Sequence, residues 1–174
     1  MEQIFAEVRK RVESEREQVG KTAESERGKF NIKTALNQNE DGDARIFVAL
    51  NRGRLVYDHA AGCWYEWAGH HWRLDEKEMA LAGVAEVAEA YLVDFKCYAW
   101  ARAGAEKVGN TKGADAAKAM ENALAKRVRE LQTVARKQNV LHLARAGENG
   151  LGITGTEWDA SPWALGCKNG VIKS

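Results

Sequence analysis

Residues 55–74, LVYDHAAGCWYEWAGHHWRL, decide the fold. Leu55-Val56-Tyr57 is a short β-rich run. After a turn over residues 59–62 come Cys63-Trp64-Tyr65-Glu66-Trp67 and His70-His71-Trp72-Arg73-Leu74, separated by Ala68-Gly69. Short aromatic and β-branched runs bounded by glycine-containing breaks read as antiparallel strands. With Ala68-Gly69 as a two-residue hairpin loop, Trp67 opposes His70, Tyr65 opposes Trp72 and Cys63 opposes Leu74 on one face. The other face opposes Glu66 to His71 and Trp64 to Arg73, an ion pair and a cation–π pair compatible with partial exposure. The spacing therefore predicts a three-stranded antiparallel sheet with Trp67 and Trp72 on a buried aromatic face and Trp64 as a surface aromatic.

Working outward, Asp41 precedes Ala44, Phe47, Val48 and Leu50, and Gly53 closes the stretch, which predicts a short helix. Upstream, residues 20–40 are polar and lose their period, as a linker does, while Ile4, Val8 and Val12 with Phe5 draw a thin helical stripe. The chain divides into an N-terminal helix and polar linker over 1–40 and a compact domain over 41–174. Downstream, Asp75 with Glu78 has the form of a capping box, and Met79, Leu81, Val84, Val87, Tyr91, Phe95 and Tyr98 mark a long central helix. Gly104, Gly109-Asn110 and Gly113 interrupt the pattern. Residues 114–138 and 140–146 then read as one or two further helices ending at Gly147, followed by a glycine-rich loop to Gly155 and an irregular closing segment around Pro162. The expected class is α+β, a small antiparallel three-stranded sheet packed on a mostly helical body.

Composition excludes several functions. The 174 residues carry 26 Lys+Arg against 25 Asp+Glu, so partners that need a strongly charged protein must be met by local clustering. Cys63, Cys97 and Cys167 are an odd number without a C-x-x-C pair, which fits neither a disulfide framework nor a zinc ribbon and suits a reducing, cytoplasmic setting. No apolar run approaches the ~20 residues a membrane span needs. The phosphate-cradling G-x-x-x-x-G-K-[ST] loop is absent, and Gly109–Gly113 around Lys112 lacks its ending. G-x-S-x-G and H-E-x-x-H are absent too. His59, Cys63, His70 and His71 lie close in sequence, but consecutive strand residues point to opposite faces, so His70 and His71 are not expected to converge on a metal.

Charge clusters in one place. Residues 126–145 hold Lys126, Arg127, Arg129, Arg136, Lys137 and Arg145 against Glu130 alone. On one continuous helix Lys126, Arg129, Arg136 and Lys137 share an arc opposite Leu124, Val128, Leu131 and Ala135. That arc suits phosphate contact, with Trp64 as an aromatic partner, and equally suits a solvated helix face.

Two blocks carry a resemblance. GDARIFVALNRGRLVYD with WYEWAGHHWRLD resembles the pattern "G-N-A-x-R-F … L-R-Y … W-x-x-W-D-G-x-x-W-x-x-D" of the phage/plasmid primase and poxvirus-type primase-helicase family. Gly42, Ala44, Arg45, Phe47, Leu55, Tyr57, Trp64, Trp67, Gly69, Trp72 and Asp75 match it, whereas Asp43 stands for Asn and Ala68 for Asp. WDASPWALGCKNGVI resembles the later block of the same family through Asp159, Pro162, Leu165, Asn169, Gly170, Val171 and Ile172. The resemblance implies a region directly before a superfamily III helicase motor that would begin beyond Asn169-Gly170, with any primase site upstream. It implies a non-catalytic collar or adaptor without a cofactor of its own, ATP and magnesium belonging to the motor. Its partners would be the helicase and primase domains of the same polypeptide, DNA, and other copies in a hexamer, with no membrane. Direct DNA binding through the basic arc is the alternative, and a small hydrolase using His59 or His70 a third reading.

Overall fold

A computed structural model describes residues 30–158, together with strands at 164–167 and 170–173. The order is α1 (Ile32–Asn37), α2 (Asn39–Asn51), β1 (Leu55–Asp58), β2 (Cys63–Trp67), β3 (Trp72–Leu74), α3 (Met79–Lys107), α4 (Thr111–Leu131), α5 (Val134–Ala144), β4 (Gly152–Ile153), β5 (Ala164–Cys167) and β6 (Gly170–Lys173). The α+β class holds, but the sheet has four strands in the order β3-β2-β1-β4, and β4 runs parallel to β1. β4 lies in the glycine-rich stretch read as loop. It is held by Tyr57 N–H donating to the Leu151 carbonyl at 2.8 Å and His59 N–H to that of Ile153 at 2.9 Å. A side chain at position 152 would run into the Arg145 carbonyl and the His59 ring, so only glycine lets this strand approach. Two residues of strand between glycines carry no periodic signal, which is why the sequence does not announce it.

The hairpin turn is centred on Gly69-His70, with Gly69 at φ +92° and Ala68 N–H donating to the His71 carbonyl at 2.9 Å. The register becomes Trp67↔Trp72, Glu66↔Arg73 and Tyr65↔Leu74, two residues from the expected pairing. A two-residue slip leaves each side chain on its own face, because strand alternation has period two. Glu66 thus meets Arg73, whose Nε donates at 3.1 Å, in place of the expected Trp64–Arg73 pair.

Which face is buried is the reverse of expectation. Leu55 and Tyr57 are buried, Trp64 packs on the core, and its ring meets Tyr57 at 5.2 Å and Phe47 of α2 at 6.3 Å, both edge-to-face. Trp67 on the opposite face is 44% exposed, and Leu74 is exposed as well. The helices cover the Trp64 side, and alternation alone cannot say which side they choose.

The helical body departs from expectation at four junctions. Within the stretch read as linker, residues 32–37 form α1 and bury Ile32 and Ala35. At Gly42, α2 crosses so close to α1 that a Cβ would collide with the Ala35 backbone. Asp75 caps α3, its carboxylate accepting from Met79 N–H at 2.7 Å and Ala80 N–H at 2.8 Å, but Glu78 sits in the left-handed region at φ 54° and does not complete a capping box. α3 runs through Gly104 to Lys107, where no neighbour crowds the glycine, and turns at Gly109. The long basic stretch breaks at Gln132-Thr133, where the Thr133 hydroxyl accepts from Arg136 N–H and starts α5. Beyond Trp158, β5 and β6 pair as a hairpin (Cys167↔Gly170) where irregular structure was expected.

The core gathers Phe47, Ile46, Val84, Val87, Tyr91, Leu124, Leu131 and Val140 from α2 to α5. No helix among the described residues is long and apolar enough to cross a membrane.

Candidate functional site

Two clusters of polar and aromatic groups organise the molecule, one sealed and one open. The sealed cluster is centred on Asp43 of α2, which is 0% exposed. Its Oδ1 accepts from the Tyr91 hydroxyl of α3 at 2.7 Å and from Arg127 Nη1 of α4 at 2.8 Å. Its Oδ2 accepts from Nε and Nη2 of Arg136 on α5 at 2.9 and 2.7 Å. Arg127 uses all five guanidinium N–H groups: besides Asp43 it donates to the carbonyls of Leu36 and Asn39, to Asn39 Oδ1 and to Glu130. It thereby satisfies carbonyls left over at the α1–α2 junction, where Asn39 takes a left-handed conformation at φ 54°. Burial pushes the Tyr91 hydroxyl pKa up, and the neighbouring Asp43 charge pushes it further, so Tyr91 stays a donor. Burial alone would lower the Arg127 pKa, but its hydrogen bond to Asp43 and the carboxylate charge raise it overall. Four helices meet at one carboxylate with every donor and acceptor engaged.

Sequence reading missed this cluster although a signal for it was present. Leu124, Arg127, Val128 and Leu131 fall at i, i+3, i+4 and i+7, so Arg127 occupies the apolar stripe of α4. Asp43 does the same beside Ile46 and Phe47 in α2. A charge on a buried stripe needs a partner of opposite sign, and each of these is the other's.

The expected basic arc is divided. Arg136 turns to Asp43 and lies near Glu40 at 3.5 Å, with its side chain 14% exposed. Lys126 stays outside, with Glu130 at 3.9 Å, and Arg129 is exposed with its Nε on the Ala125 carbonyl at 3.3 Å. Lys137 is partly buried. The arc assumed one continuous helix, and the break at Thr133 redirects its second half.

The open cluster lies on the far face of the sheet, where Tyr65, Trp67, His70, His71, Trp72 and Trp158 with Glu157 line a cleft of about 560 Å³. Trp67 and Trp72 meet edge-to-face at 5.3 Å, and Trp158 leans on Tyr65 at 5.1 Å. Trp158 is pinned by Asp58 of β1, whose Oδ2 accepts the indole N–H at 2.6 Å while Oδ1 accepts from Ala60 and Ala61 N–H. The indole bond first, and those amides after it, hold the Asp58 pKa below the ordinary carboxylate range against its burial. His70 and His71 sit in the turn and not in a strand, so their rings adjoin at 4.4 Å instead of pointing apart. No three or more His, Cys, Asp or Glu among the described residues are placed to hold a metal ion. His59 is elsewhere, its Nε2 3.0 Å from the Arg145 carbonyl. Trp64, expected at the surface, lines a separate indentation with His142 and Arg145 while its ring packs on the core.

Comparison with known families places the chain. A family model described as D5 N-terminal like matches residues 44–173. The chain belongs to the D5 N-terminal-like family. That match covers the first resembling block from Ala44 on and the whole of the second, and supports an N-terminal region of primase-helicase proteins, with replication as its setting. No curated protein and no solved structure matches it. Within this D5 N-terminal-like domain most of the described motif residues divide between the two faces of the sheet. Tyr57 and Trp64 build the core face of the sheet, and the Arg145 guanidinium lies 4.4 Å over the Tyr57 ring. Trp67, Gly69 and Trp72 build the open face and its turn. Arg45 is exposed on α2 and pairs with Asp41 at 3.1 Å. Gly170 opens β6, and Asp159, Pro162 and Asn169 lie outside the described residues.

Proposed function

We propose that the chain is a non-catalytic accessory domain that precedes a superfamily III helicase motor in a primase-helicase and supports ring assembly and DNA engagement in replication. The D5 N-terminal-like match over residues 44–173 carries the reading. The Asp43 cluster adds the physical reason: a carboxylate that joins α2, α3, α4 and α5 holds the outer surfaces of the domain in fixed relation, as an adaptor against a moving motor requires. In this reading the domain has no cofactor or catalytic residue of its own. ATP and magnesium act in the motor, the partners are the helicase and primase domains and neighbouring copies in a hexamer, and the setting is cytoplasmic, in a phage, prophage or plasmid replicon.

The test is the full reading frame with and without residues 30–174, followed by sedimentation and ATPase assays. Loss of hexamers with ATPase retained per monomer is the expected result. Hexamers that form equally well without the domain overturn the assembly role. The isolated chain should hydrolyse no ATP above a contaminant control.

Direct DNA binding is a second reading, favoured by the exposure of Lys126 and Arg129, with Lys137 partly buried on α5. Three such cations in place of four would give a log–log salt slope of about −0.9 × 3, near −2.7, on duplex DNA.

A further inference from the structure

The cleft on the open face of the sheet combines three features that the hexamer reading does not use. Its walls are aromatic rings, with Trp67 44% exposed and turned edge-to-face against Trp72 at 5.3 Å. Among the described residues its lining holds no lysine or arginine. Its rim carries Glu157, whose Oε2 accepts from the Thr154 N–H and hydroxyl, each at 3.0 Å, while Oε1 takes part in none of these bonds. The Glu157 backbone N–H first, and the Thr154 and Thr156 donors with it, hold that carboxyl pKa below its ordinary value, so the rim is anionic at neutral pH. Behind Trp158 stands a second carboxylate, Asp58, accepting the indole N–H at 2.6 Å. An anion on the N–H edge of an indole enriches the electron density of its ring face and favours a cation above it.

These features select the charge and shape of an occupant. A nucleic-acid strand presents phosphates first, and an aromatic cleft with a carboxylate rim disfavours them. An ammonium is compact and strongly hydrated, whereas a guanidinium is flat, weakly hydrated and able to stack on a ring while its edge meets a carboxylate. The cleft volume of about 560 Å³ lies within the range of small-ligand sites and exceeds what a single ring contact needs.

We propose that this cleft is a docking site for an extended peptide segment bearing an arginine, whose guanidinium stacks on the exposed face of Trp67, beside Trp72, and reaches Oε1 of Glu157. The site recognises a basic segment of another protein surface and is separate from the Asp43 cluster, whose arginines are fully engaged.

The experiment follows the indole N–H resonances of the ¹⁵N-labelled chain at pH 8, above the ordinary imidazole range, with Trp67→Phe and Trp72→Phe for assignment. The probe is acetyl-Gly-Arg-Gly-amide, with the citrulline peptide of the same shape and a short oligothymidylate as comparisons. The Trp67 and Trp72 resonances should move saturably with the arginine peptide. The citrulline peptide should bind about tenfold more weakly, since it loses both the cation–π contact and the ion pair. Glu157→Gln, an exposed and conservative change, should weaken the arginine peptide about three- to fivefold. Equal binding of the two peptides, or unchanged affinity in Glu157→Gln, overturns the proposal. Movement of these resonances by the oligothymidylate alone overturns it in favour of a base-stacking surface.

Discussion

Asp43 and Glu157 are both carboxylates set among aromatic rings and threonine or arginine donors, and they differ in what each leaves unused. Asp43 is 0% exposed and receives four hydrogen bonds from three helices, so both oxygens are saturated. Glu157 is exposed, keeps one oxygen free of its threonine donors, and faces rings that are themselves partly open. A saturated buried ion cluster fixes geometry and offers nothing to a partner. An unsaturated one on an aromatic cleft contributes little to folding and remains available for binding. The same contrast separates the two faces of the sheet: Trp64 packs on Phe47 of α2 and on Tyr57, while Trp67 packs on Trp72 and Trp72 on Trp158.

The largest effect should come from the sealed cluster. Asp43→Ala leaves Arg127 buried and Arg136 nearly so without their carboxylate, and should cost about 3–5 kcal/mol in urea unfolding. Asp43→Asn keeps an acceptor for one guanidinium and should cost less. A loss no greater than that of a surface substitution would remove the contrast between the clusters. Next, Trp64→Ala should cost about 3–5 kcal/mol as a core-facing aromatic. Trp72→Ala should cost about 1–2 kcal/mol, since its ring lies on the open face beside the exposed Trp67. Equal losses would show that neither face is the core face.

A smaller and pH-dependent effect belongs to Asp58. Its pKa in the folded chain lies below the ordinary carboxylate value, so the stability it contributes is present above that value, about 3.9, and is lost as pH falls through the folded pKa. Below about pH 4 the Trp158 indole N–H resonance should therefore move toward its free position, and Asp58→Asn should remove that transition. A transition that persists in the variant would assign it to another group. The smallest effect on folding should be that of Arg129→Glu, within about 0.5 kcal/mol by urea unfolding. In a DNA titration across salt the same variant should weaken binding and reduce the slope. If affinity and slope stay unchanged, the exposed cations are a solvated face only.

Much of this was legible from residues alone. The period-two pattern of 55–74 determined three strands and which side chains share a face, because alternation is built into the extended backbone. Asp75 announced the start of the central helix, and the two motif blocks announced the family. Other features depended on which surfaces met. Trp64 and Trp72 are equally plausible core residues by pattern, and only the packing of α2 against the Trp64 side decides between them. β4 exists because Gly152 lets a two-residue segment reach β1, a contact without local periodicity. Arg127 and Asp43 stand 84 residues apart, and each is a misplaced charge on an apolar stripe until the other is brought to 2.8 Å. The sequence by itself determined the local elements and their faces, since those follow from backbone period and capping chemistry within a few residues. The tertiary structure decided which face is buried, which charges neutralise one another and which aromatic rings remain open, because burial is a property of the surfaces that meet and not of any one segment.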